Sequence, residues 1–198
     1  MILCADDFAL SPSVSAAIAD LLARGRLTAT SCMVSLPNWP VDSGRLVPFI
    51  GRADLGLHVT LTDHNPLGAM PRLAPVGRLP SATTFARLAF AGRLDRGEIR
   101  AELVRQLDAF ERALGRAPDY VDGHHHVHIY PVVGDVLLEV LGERYAHPSL
   151  YIRSCSDRLA RILRRGIGHM SALYLAAVGR SFAARLAARG FSHNDSFA

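Results

Sequence analysis

Three short apolar runs, each next to carboxylate or imidazole side chains, are the sequence feature that most constrains the fold of this chain. The run Ile2–Ala5 is followed directly by Asp6 and Asp7. A second run carries His58 within Gly-Leu-His-Val-Thr-Leu-Thr, and a third leads into Asp-Gly-His-His-His-Val-His at 122–128. Such runs are typical of buried parallel strands, whose carboxyl ends converge on one face of an α/β fold. The sequence therefore predicts one site assembled from three distant parts of the chain.

Between these runs the chain alternates segments with strand-like and helix-like patterns. Ser11 is a suitable N-cap before Pro12 at the first position of a helix. The clearest amphipathic helix is predicted over 98–114, with one apolar stripe and Gly115 at its end. Further strands are predicted at 30–36, 54–61, 119–122 and 150–153, and further helices from Pro131 and over 158–189. This alternation predicts an α/β fold with a largely parallel sheet, either barrel-like or open.

Length and charge narrow the class of protein. The chain has 198 residues, which predicts a single domain over 1–198 with a core large enough to fold without disulfides. Its net charge is +4, but the arginines are spread along predicted helices and form no dense basic cluster. We therefore expect no nucleic-acid partner. No G-x-G-x-x-G or P-loop pattern follows a predicted strand, which disfavours nucleotide binding.

Cysteine usage and the N-terminal sequence bear on the compartment. Cys4, Cys32 and Cys155 are odd in number and far apart in sequence, which is typical of a protein from a reducing compartment rather than of a disulfide framework. The chain begins in a predicted strand, with no basic segment followed by an apolar one that would indicate a signal peptide. No stretch of about 18 apolar residues is present to span a bilayer. We expect a cytoplasmic protein without a membrane span.

The histidine-rich segment is the least compatible with a purely structural role. Four imidazoles occur in the five positions 124–128, which would make a poor apolar core and a poor exposed strand. Because consecutive residues point in different directions, one or two of these histidines can face a metal while the others pack or hold its ligands in place. A lone His58 inside an apolar strand, by contrast, is more often an ordinary core residue.

One carboxylate with two imidazoles is a common ligand set for an open divalent metal site. A second carboxylate beside it can act as the base that activates a water molecule. Asp6 and Asp7 could supply both carboxylates, or they could simply be a turn or capping pair at the end of a strand. Adjacent residues of an extended segment point to opposite faces, so a turn is needed to bring both to one site.

The three motifs together resemble the YdjC-like family of carbohydrate deacetylases, which includes chitooligosaccharide deacetylases and hopanoid-associated relatives. They are Ala-Asp-Asp-Phe at 5–8, Gly-Leu-His-Val-Thr-Leu-Thr at 56–62 and Asp-Gly-His-His-His-Val-His at 122–128. They occur in the family's order, and the resemblance extends from Ile2 to about Ala198.

This resemblance implies an enzyme with a distorted (β/α) barrel that hydrolyses the N-acetyl group of an amino sugar or N-acetylated oligosaccharide. In similar proteins the second acid of the pair, the histidine of the Gly-Leu-His strand and the first histidine of the triplet bind a divalent metal. The corresponding residues here are Asp7, His58 and His124, and Asp6 would be the base. Two imidazoles favour Zn²⁺, whereas a water-rich site suits Mg²⁺, so both remain expected metals.

Two positions depart from the family pattern. The residue after the Asp-Asp-aromatic step is usually Gly but is Ala9 here, which would be strained by about 1 kcal/mol or more if its φ is positive. Related proteins also continue well past the segment 194–197, with late strands and a further histidine that acts as general acid. From this we expect either a barrel that is incomplete at the C-terminus or a proton donor from elsewhere, such as His126 or His128.

The same reasoning predicts the surroundings of the site. The Pro/Gly-rich segment 64–80 follows the strand of His58 and is expected to form part of a substrate wall or a mobile lid. Arg72 and Arg153 are candidates to contact the sugar. An early end of the barrel would leave apolar surface on the C-terminal helices, including Phe182, and this predicts a homodimer.

Two other functional classes stay open from the sequence. The ligand set also suits a metal hydrolase of another class, such as a phosphoesterase, which often needs a second metal ion. The chain could instead be a truncated, non-catalytic relative that binds a metal or a sugar without turnover.

Overall fold

The computed structural model describes residues 2–145, 150–164 and 168–196, and its centre is a parallel six-stranded sheet. The strands follow one another across the sheet in chain order, and each pairs in parallel with the next. Their bounds are β1 Cys4–Phe8, β2 Ala29–Cys32, β3 Asp54–Val59, β4 Tyr120–Gly123, β5 Tyr151–Ile152 and β6 Ser192–His193. The predicted α/β class with a parallel sheet is confirmed.

Seven α-helices in the described residues connect these strands, together with 3₁₀ turns at Ser43–Phe49 and His124–Ile129. The helices are α1 Pro12–Ala23, α2 Trp39–Asp42, α3 Ala82–Phe90, α4 Arg96–Leu114, α5 Val133–Arg144, α6 Leu159–Arg164 and α7 His169–Ala188. Because parallel crossovers are right-handed, a sheet built in strict chain order carries its connections on one face. This winding is that of a barrel-type sheet, and within the described residues the sheet is open between β1 and β6.

The two faces of the sheet have opposite chemistry, as β3 shows. Leu55, Leu57 and Val59 are buried in the main apolar core. The alternate positions Gly56 and His58 lie on the other face, since neighbouring side chains of a strand point to opposite sides. The apolar face of the sheet therefore packs against the helices, and the other face is left for polar side chains.

Strand register extends this polar face across the neighbouring strands. Ser31 of β2 and Tyr120 of β4 pair with Gly56, and Asp122 pairs with His58. The Ser31 hydroxyl lies 2.8 Å from the Tyr120 hydroxyl and 2.8 Å from Asp122 Oδ2. Hydrogen bonding among these buried groups compensates for their removal from water.

The first strand begins later than the sequence predicted. The predicted strand Ile2–Ala5 is Cys4–Phe8 in the structure, so Asp6 and Asp7 lie within the strand rather than after it. Ladder pairing with β2 starts at Cys4, and Ile2 stays half exposed. Apolar character alone could not locate this start, because it depends on the partner strand.

The predicted helices whose ends were marked by capping residues are confirmed. Ser11 caps α1 by accepting a hydrogen bond from the Val14 N–H, with Pro12 at the first position. The helix α4 runs to Leu114, and Gly115 ends it with φ 69°. Helix α3, the segment 39–49 and strand β6 were not predicted, and the predicted helix over 158–189 is two helices, with 165–167 outside the described residues.

Helix α7 contributes to the core of this chain more than the sequence suggested. Phe182 is fully buried, and its ring lies 5.7 Å from the His128 ring. Phe182 is therefore covered by its own chain and supplies no exposed surface, whereas the homodimer itself stays a prediction. No helix among the described ranges is both long enough and apolar enough to cross a membrane.

Gly56 provides the first testable prediction. A Cβ at this position would overlap the ring of Tyr120, which stacks on Tyr151 at 5.0 Å. Gly56→Ala should therefore lower the free energy of unfolding by about 1–3 kcal/mol, the usual range for overpacking. Urea denaturation measures the change. Gly142→Ala in α5 is the matched control, since nothing lies within 4 Å of its added Cβ, and it should be neutral or stabilising.

Candidate metal centre and active site

A bulge in β1 brings two neighbouring carboxylates to one site. The register with β2 shifts between Ala5 and Phe8, and Asp7 adopts a left-handed φ of 63°. Asp is one of the residues that adopt this conformation most readily. The turn that Asp6 and Asp7 required is therefore present.

Ala9 lies just beyond this bulge and has a φ of 75°. The positive φ in question for this position is confirmed, and it costs an alanine about 1 kcal/mol or more. Ala9 is also fully buried in the core, and burial of its methyl group contributes about 0.8 kcal/mol. Burial thus offsets much of the strain that Ala introduces in place of Gly.

The structure brings together the three residues expected to bind a metal. Asp7 Oδ1 lies 2.9 Å from His124 Nδ1 and 3.3 Å from His58 Nε2. One ligand atom from each residue lies within 4.8 Å of the others, which leaves room for one ion at the usual ligand distances of about 2.0–2.2 Å. Hydrogen bonds from His124 and His58 hold the pKa of the Asp7 carboxyl well below its usual range.

Asp122 orients His58 toward this group and was not among the predicted site residues. Its Oδ1 lies 2.6 Å from His58 Nδ1, which leaves Nε2 directed at Asp7. Burial favours the neutral imidazole, but the charge and hydrogen bond of Asp122 outweigh burial and raise the pKa of His58 to about 10. Carboxylates that hold a metal-binding histidine in this way fix its orientation. The position of Asp122 at the end of a strand, just before the histidines, was the sequence feature that could have identified it as a site residue.

Arg153 lies between Asp6 and Asp122. These two carboxylates are outside the candidate metal group, which consists of Asp7, His58 and His124. Its Nη1 is 2.9 Å from Asp6 Oδ2 and 2.8 Å from Asp122 Oδ2. Its Nη2 also donates to Asp6 Oδ1 at 3.0 Å. Burial opposes the charged form, but Asp122 and Asp6 outweigh it and keep the pKa of Arg153 above its usual value.

The two oxygens of Asp6 have different surroundings. Oδ1 accepts hydrogen bonds from Arg153, Ser31 and the Cys4 thiol. Oδ2 is bonded only to Arg153 among the described residues. Because a carboxylate oxygen carries two acceptor positions, Oδ2 keeps one that can receive a proton.

The histidine-rich segment sends its imidazoles in different directions, as the sequence predicted. Left-handed φ values of 52° and 58° at His125 and His126 turn the chain sharply after His124. His125 Nδ1 lies 3.0 Å from Thr62 Oγ1, and His126 Nδ1 lies 3.5 Å from Cys155 Sγ. Only His124 contributes to the metal group.

His128 lies beneath the site rather than in it. The side chain is fully buried, and Nε2 lies 2.6 Å from the carbonyl oxygen of Arg153, so it donates there in the neutral form. Burial lowers the pKa of His128 to about 3. This contact fixes the backbone that carries the Arg153 guanidinium.

A second acid–histidine group shares His58 with the first. Ligand atoms of Asp6, His58 and Asp122 also lie within 4.8 Å of one another. The guanidinium of Arg153 already bridges these two carboxylates, and a cation placed there would be repelled by it. The group of Asp7, His58 and His124 is therefore the better metal site.

The loop after β3 reaches the site through Thr62 and His64 and is held by helix α4. The carboxylates of Glu98 and Glu102 accept hydrogen bonds from the backbone N–H groups of Leu67, Gly68, Arg72 and Leu73. Glu102 is fully buried, so its bonds to Leu67 and Gly68 are partly shielded from water. The loop is thus tied down at two places, and a lid function stays a prediction.

Two further residues of this loop bear on the predicted site. The exposed side chain of Arg72 pairs with Asp95, the N-cap of α4, at 3.0 Å. His64, which the sequence did not single out, has its ring centroid 5.7 Å from that of His124. Burial and the neighbouring His124 imidazole lower the pKa of His64.

The role of Asp122 gives a prediction for metal affinity. Asp122→Asn should weaken metal binding by about 10–100-fold, the usual effect of losing the carboxylate behind a histidine ligand. Isothermal titration with Zn²⁺ and Mg²⁺ measures it. Ser31→Ala is the matched control, because it removes one hydrogen bond to Asp122 and keeps the carboxylate. Unchanged affinity in Asp122→Asn would show that His58 is oriented by other contacts.

His128 gives a prediction for stability against pH. Its pKa is about 3 in the folded protein and about 6.5 when unfolded, so between these values only the unfolded chain binds the proton. Its contribution to folding is present above pH 6.5 and is lost as the pH falls, by about 1.4 kcal/mol per unit. The raised pKa of His58 acts with the opposite sign, from pH 6.5 upward to about 10.

Urea denaturation of the metal-free protein at pH 6.0 and 5.0 measures how the contribution of His128 to the free energy of unfolding changes with pH. His128→Gln should lose less stability over that interval than the wild type, by about 1 kcal/mol. His193→Gln, on strand β6, is the control for loss of a histidine elsewhere. Equal slopes in the wild type and in His128→Gln would contradict a buried, neutral His128.

Comparison with known proteins places the chain among relatives of similar sequence. The profile of the YdjC-like protein family matches residues 1–198. Carbohydrate deacetylase from Homo sapiens is 31% identical over 189 residues, which cover 92% of this chain and 54% of that protein. Chitooligosaccharide deacetylase from Serratia marcescens is 36% identical over 134 residues, which cover 67% of this chain and 52% of that protein. The chain thus spans about half the length of these relatives.

A solved structure supports the fold. A protein from Enterococcus faecalis V583 named for cellobiose-phosphate cleavage superimposes with a TM-score of 0.65, at 23% identity over 89% of this chain and 63% of that one. The profile match over the whole chain carries the assignment, and the three motifs that suggested it converge in one site. The chain belongs to the family of YdjC-like proteins.

Proposed function

We propose that this protein removes the N-acetyl group from an amino sugar or an N-acetylated oligosaccharide by metal-dependent hydrolysis. The observation that carries the proposal is the position of Asp6, held by Arg153, beside the group of Asp7, His58 and His124. A base next to a three-ligand metal group is one of the arrangements that hydrolyse amides. The names of the human and Serratia relatives point to the same chemistry.

The donor set fits a divalent metal. Asp7, His58 and His124 would hold it, with Asp122 keeping the Nδ1 proton on His58 so that Nε2 faces the ion. When bound, such an ion polarises the carbonyl of an amide and makes water more acidic. Two imidazole ligands favour Zn²⁺, and Mg²⁺ stays the alternative because the ligands of an open site include water.

Asp6 is the proposed base. Its Oδ2 keeps an acceptor position, and the Arg153 guanidinium grips both oxygens so that the carboxylate cannot rotate away. Asp6 would take a proton from the attacking water at Oδ2. We therefore assign Arg153 to positioning of Asp6 in place of the sugar contact that the sequence suggested.

The proton for the leaving amine would come from a different group. Of the two histidines considered for this role, His128 is fully buried and bound to the Arg153 carbonyl, which leaves it no route to a substrate. His126 is only partly buried and is the better candidate. Burial lowers the pKa of His126, so this imidazole would have to take up a proton before it could donate one to the amine.

The two alternative functions, a phosphoesterase and a non-catalytic relative, would use the site residues differently. A phosphoesterase with two ions would use the Asp6, His58 and Asp122 group as well, and there Arg153 already supplies the positive charge. A non-catalytic relative would bind metal or sugar without releasing acetate. A homodimer and a cytoplasmic location stay predictions, and sedimentation equilibrium is the direct test of the former.

A matched pair of variants tests the division of roles. Asp7→Asn should lose the metal, because it removes a charged ligand, whereas Asp6→Asn should keep the metal and lose about 10²–10⁴ in kcat as a missing general base does. Elemental analysis measures metal content, and acetate release from di-N-acetylchitobiose measures turnover. Asp20→Asn, which alters only an exposed pair with Arg24, is the control.

Three outcomes would overturn the proposal. Full activity in Asp6→Asn would transfer the base to another residue. Retained metal in Asp7→Asn would place the ion elsewhere. Hydrolysis of an aryl phosphate with no acetate release from any acetylated sugar would favour the phosphoesterase.

A further inference from the structure

The polar face of the sheet carries a row of residues next to the charged groups of the candidate site. Strand register places four residues side by side across β2 to β5: Ser31, Gly56, Tyr120 and Tyr151. The next row on the same face contains His58 beside Asp122, since residues two apart on a strand point the same way. Parallel sheets are usually apolar on both faces. The reaction proposed above gives the hydroxyl groups of the first row no role.

Tyr120 extends over the neighbouring strand because position 56 is a glycine. A Cβ on Gly56 would lie 2.3 Å from the Tyr120 ring, so the ring occupies the space directly over β3. Stacking on Tyr151, with 5.0 Å between the ring centroids, restrains the ring further. The Tyr120 hydroxyl thereby reaches Ser31 Oγ at 2.8 Å and Cys4 Sγ at 3.0 Å. Cys4, Ser31 and Tyr120 form a cluster from three strands, which we call the donor group.

The donor group contacts two carboxylates of the candidate site. Ser31 Oγ lies 2.8 Å from Asp122 Oδ2 and 3.2 Å from Asp6 Oδ1. Cys4 Sγ lies 3.3 Å from the same oxygen of Asp6. Of the hydroxyl groups in the described ranges, Ser31 is the one bonded to both Asp6 and Asp122.

The protons of the donor group fix the direction of these hydrogen bonds. Each member carries one proton, and the ionised carboxylates of Asp6 and Asp122 can only accept. Burial raises the pKa of the Cys4 thiol to about 11 and that of the Tyr120 hydroxyl well above its usual value, so both stay protonated. Ser31 then donates to its nearer carboxylate, Asp122, and accepts from Tyr120. Cys4 donates to Asp6.

We propose that the donor group positions the reacting side chains, with Cys4 acting on Asp6, Ser31 acting on Asp122, and Tyr120 acting through these two donors. The inference rests on the proposed function and adds three residues that touch neither the metal group nor the substrate. Burial supports it: Ser31 is fully buried and Tyr120 is 1% exposed. A hydrogen bond lost among these groups is therefore not replaced by one to bulk water.

Each carboxylate is oriented by the oxygen that the donor group holds. The Cys4 thiol bonds Asp6 Oδ1, which leaves Oδ2 to receive the proton of the attacking water. Ser31 bonds Asp122 Oδ2, which leaves Oδ1 on the His58 Nδ1 atom at 2.6 Å. The donor group thus supplies direction to two carboxylates whose charge is neutralised by other residues.

Steady-state kinetics of the metal-loaded full chain test these roles, with acetate release from di-N-acetylchitobiose as the assay. Cys4→Ala and Ser31→Ala should each lower kcat by about three- to tenfold, the factor that one hydrogen bond is worth. KM should stay unchanged, because neither side chain contacts the substrate. Cys4→Ser keeps a donor at the same place and should restore most of the kcat that Cys4→Ala loses.

Tyr120→Phe tests whether Tyr120 acts through the other donors. It should lower kcat less than Ser31→Ala does. The double variant of Tyr120→Phe and Ser31→Ala should lose less than the product of the two single losses, since residues that act in one chain are not additive. Tyr174→Phe and Ser13→Ala make the same changes at exposed positions of α7 and α1 and are the matched controls.

A measurement on the metal-free protein is independent of turnover. The His58 Nδ1 proton, in its short bond to Asp122, should give a downfield proton NMR resonance. Ser31→Ala should shift this resonance, because Asp122 loses a hydrogen bond, whereas Ser13→Ala should not. Zn²⁺ affinity of Ser31→Ala should fall far less than the about 10–100-fold expected for Asp122→Asn, since the carboxylate is kept.

The outcomes separate the donor group from the proposed function. Wild-type kcat in both alanine variants, in a protein that releases acetate, would overturn the positioning roles and leave the function standing. Equal losses in Cys4→Ser and Cys4→Ala would reduce Cys4 to a packing residue. An unshifted His58 resonance in Ser31→Ala would contradict the action of Ser31 on Asp122. If the wild type releases no acetate, the function fails, and the resonance still decides the role of Ser31. Thermal unfolding checks that each variant folds, and Cys4→Ser and Tyr120→Phe preserve the packing if an alanine variant does not.

Discussion

The buried guanidinium of Arg153 is the interaction on which the rest of the site depends. Asp6 and Asp122 approach the same space from strands at different places in the sheet, and Arg153 neutralises both. Without it, the buried Asp122 carboxylate would lie beside that of Asp6 with no guanidinium between them, and an uncompensated buried charge costs several kcal/mol. Asp122 can then orient His58, and the His128 contact with the Arg153 carbonyl anchors the cation itself. One cation thus positions the Asp6 carboxylate and, through Asp122, the His58 imidazole.

This arrangement follows from the winding of the sheet. Strands in chain order place the helices on one face, and the opposite face can carry polar groups such as Ser31 and Tyr120 provided that they bond to one another. Around that face, loops after the strands build the walls. Glu102 of α4 accepts a hydrogen bond from the Leu67 N–H and so ties down the loop after β3.

The residues that the sequence identified are those whose chemistry and strand position agree. Asp7, His58 and His124 each follow or end an apolar run, and the convergence of parallel strands brings them within ligand distance. Asp122 was not predicted as a site residue because its role depends on lying opposite His58. That position is set by the register between β3 and β4. His64 was not predicted either, because its ring approaches that of His124 only when the loop after β3 folds back toward the sheet.

The sequence by itself determined the α/β class, the capped helices and the convergence of the three motifs, since these follow from local periodicity and from residue types at strand ends. Tertiary structure alone decided which oxygen of Asp6 stays available, where the His125 and His126 imidazoles point, and where Arg153 points. Those outcomes depend on a bulge in β1, on left-handed turns after His124 and on charge neutralisation between strands far apart in sequence. The physical reason is that side-chain direction is set by backbone conformation and long-range pairing, which local sequence does not encode.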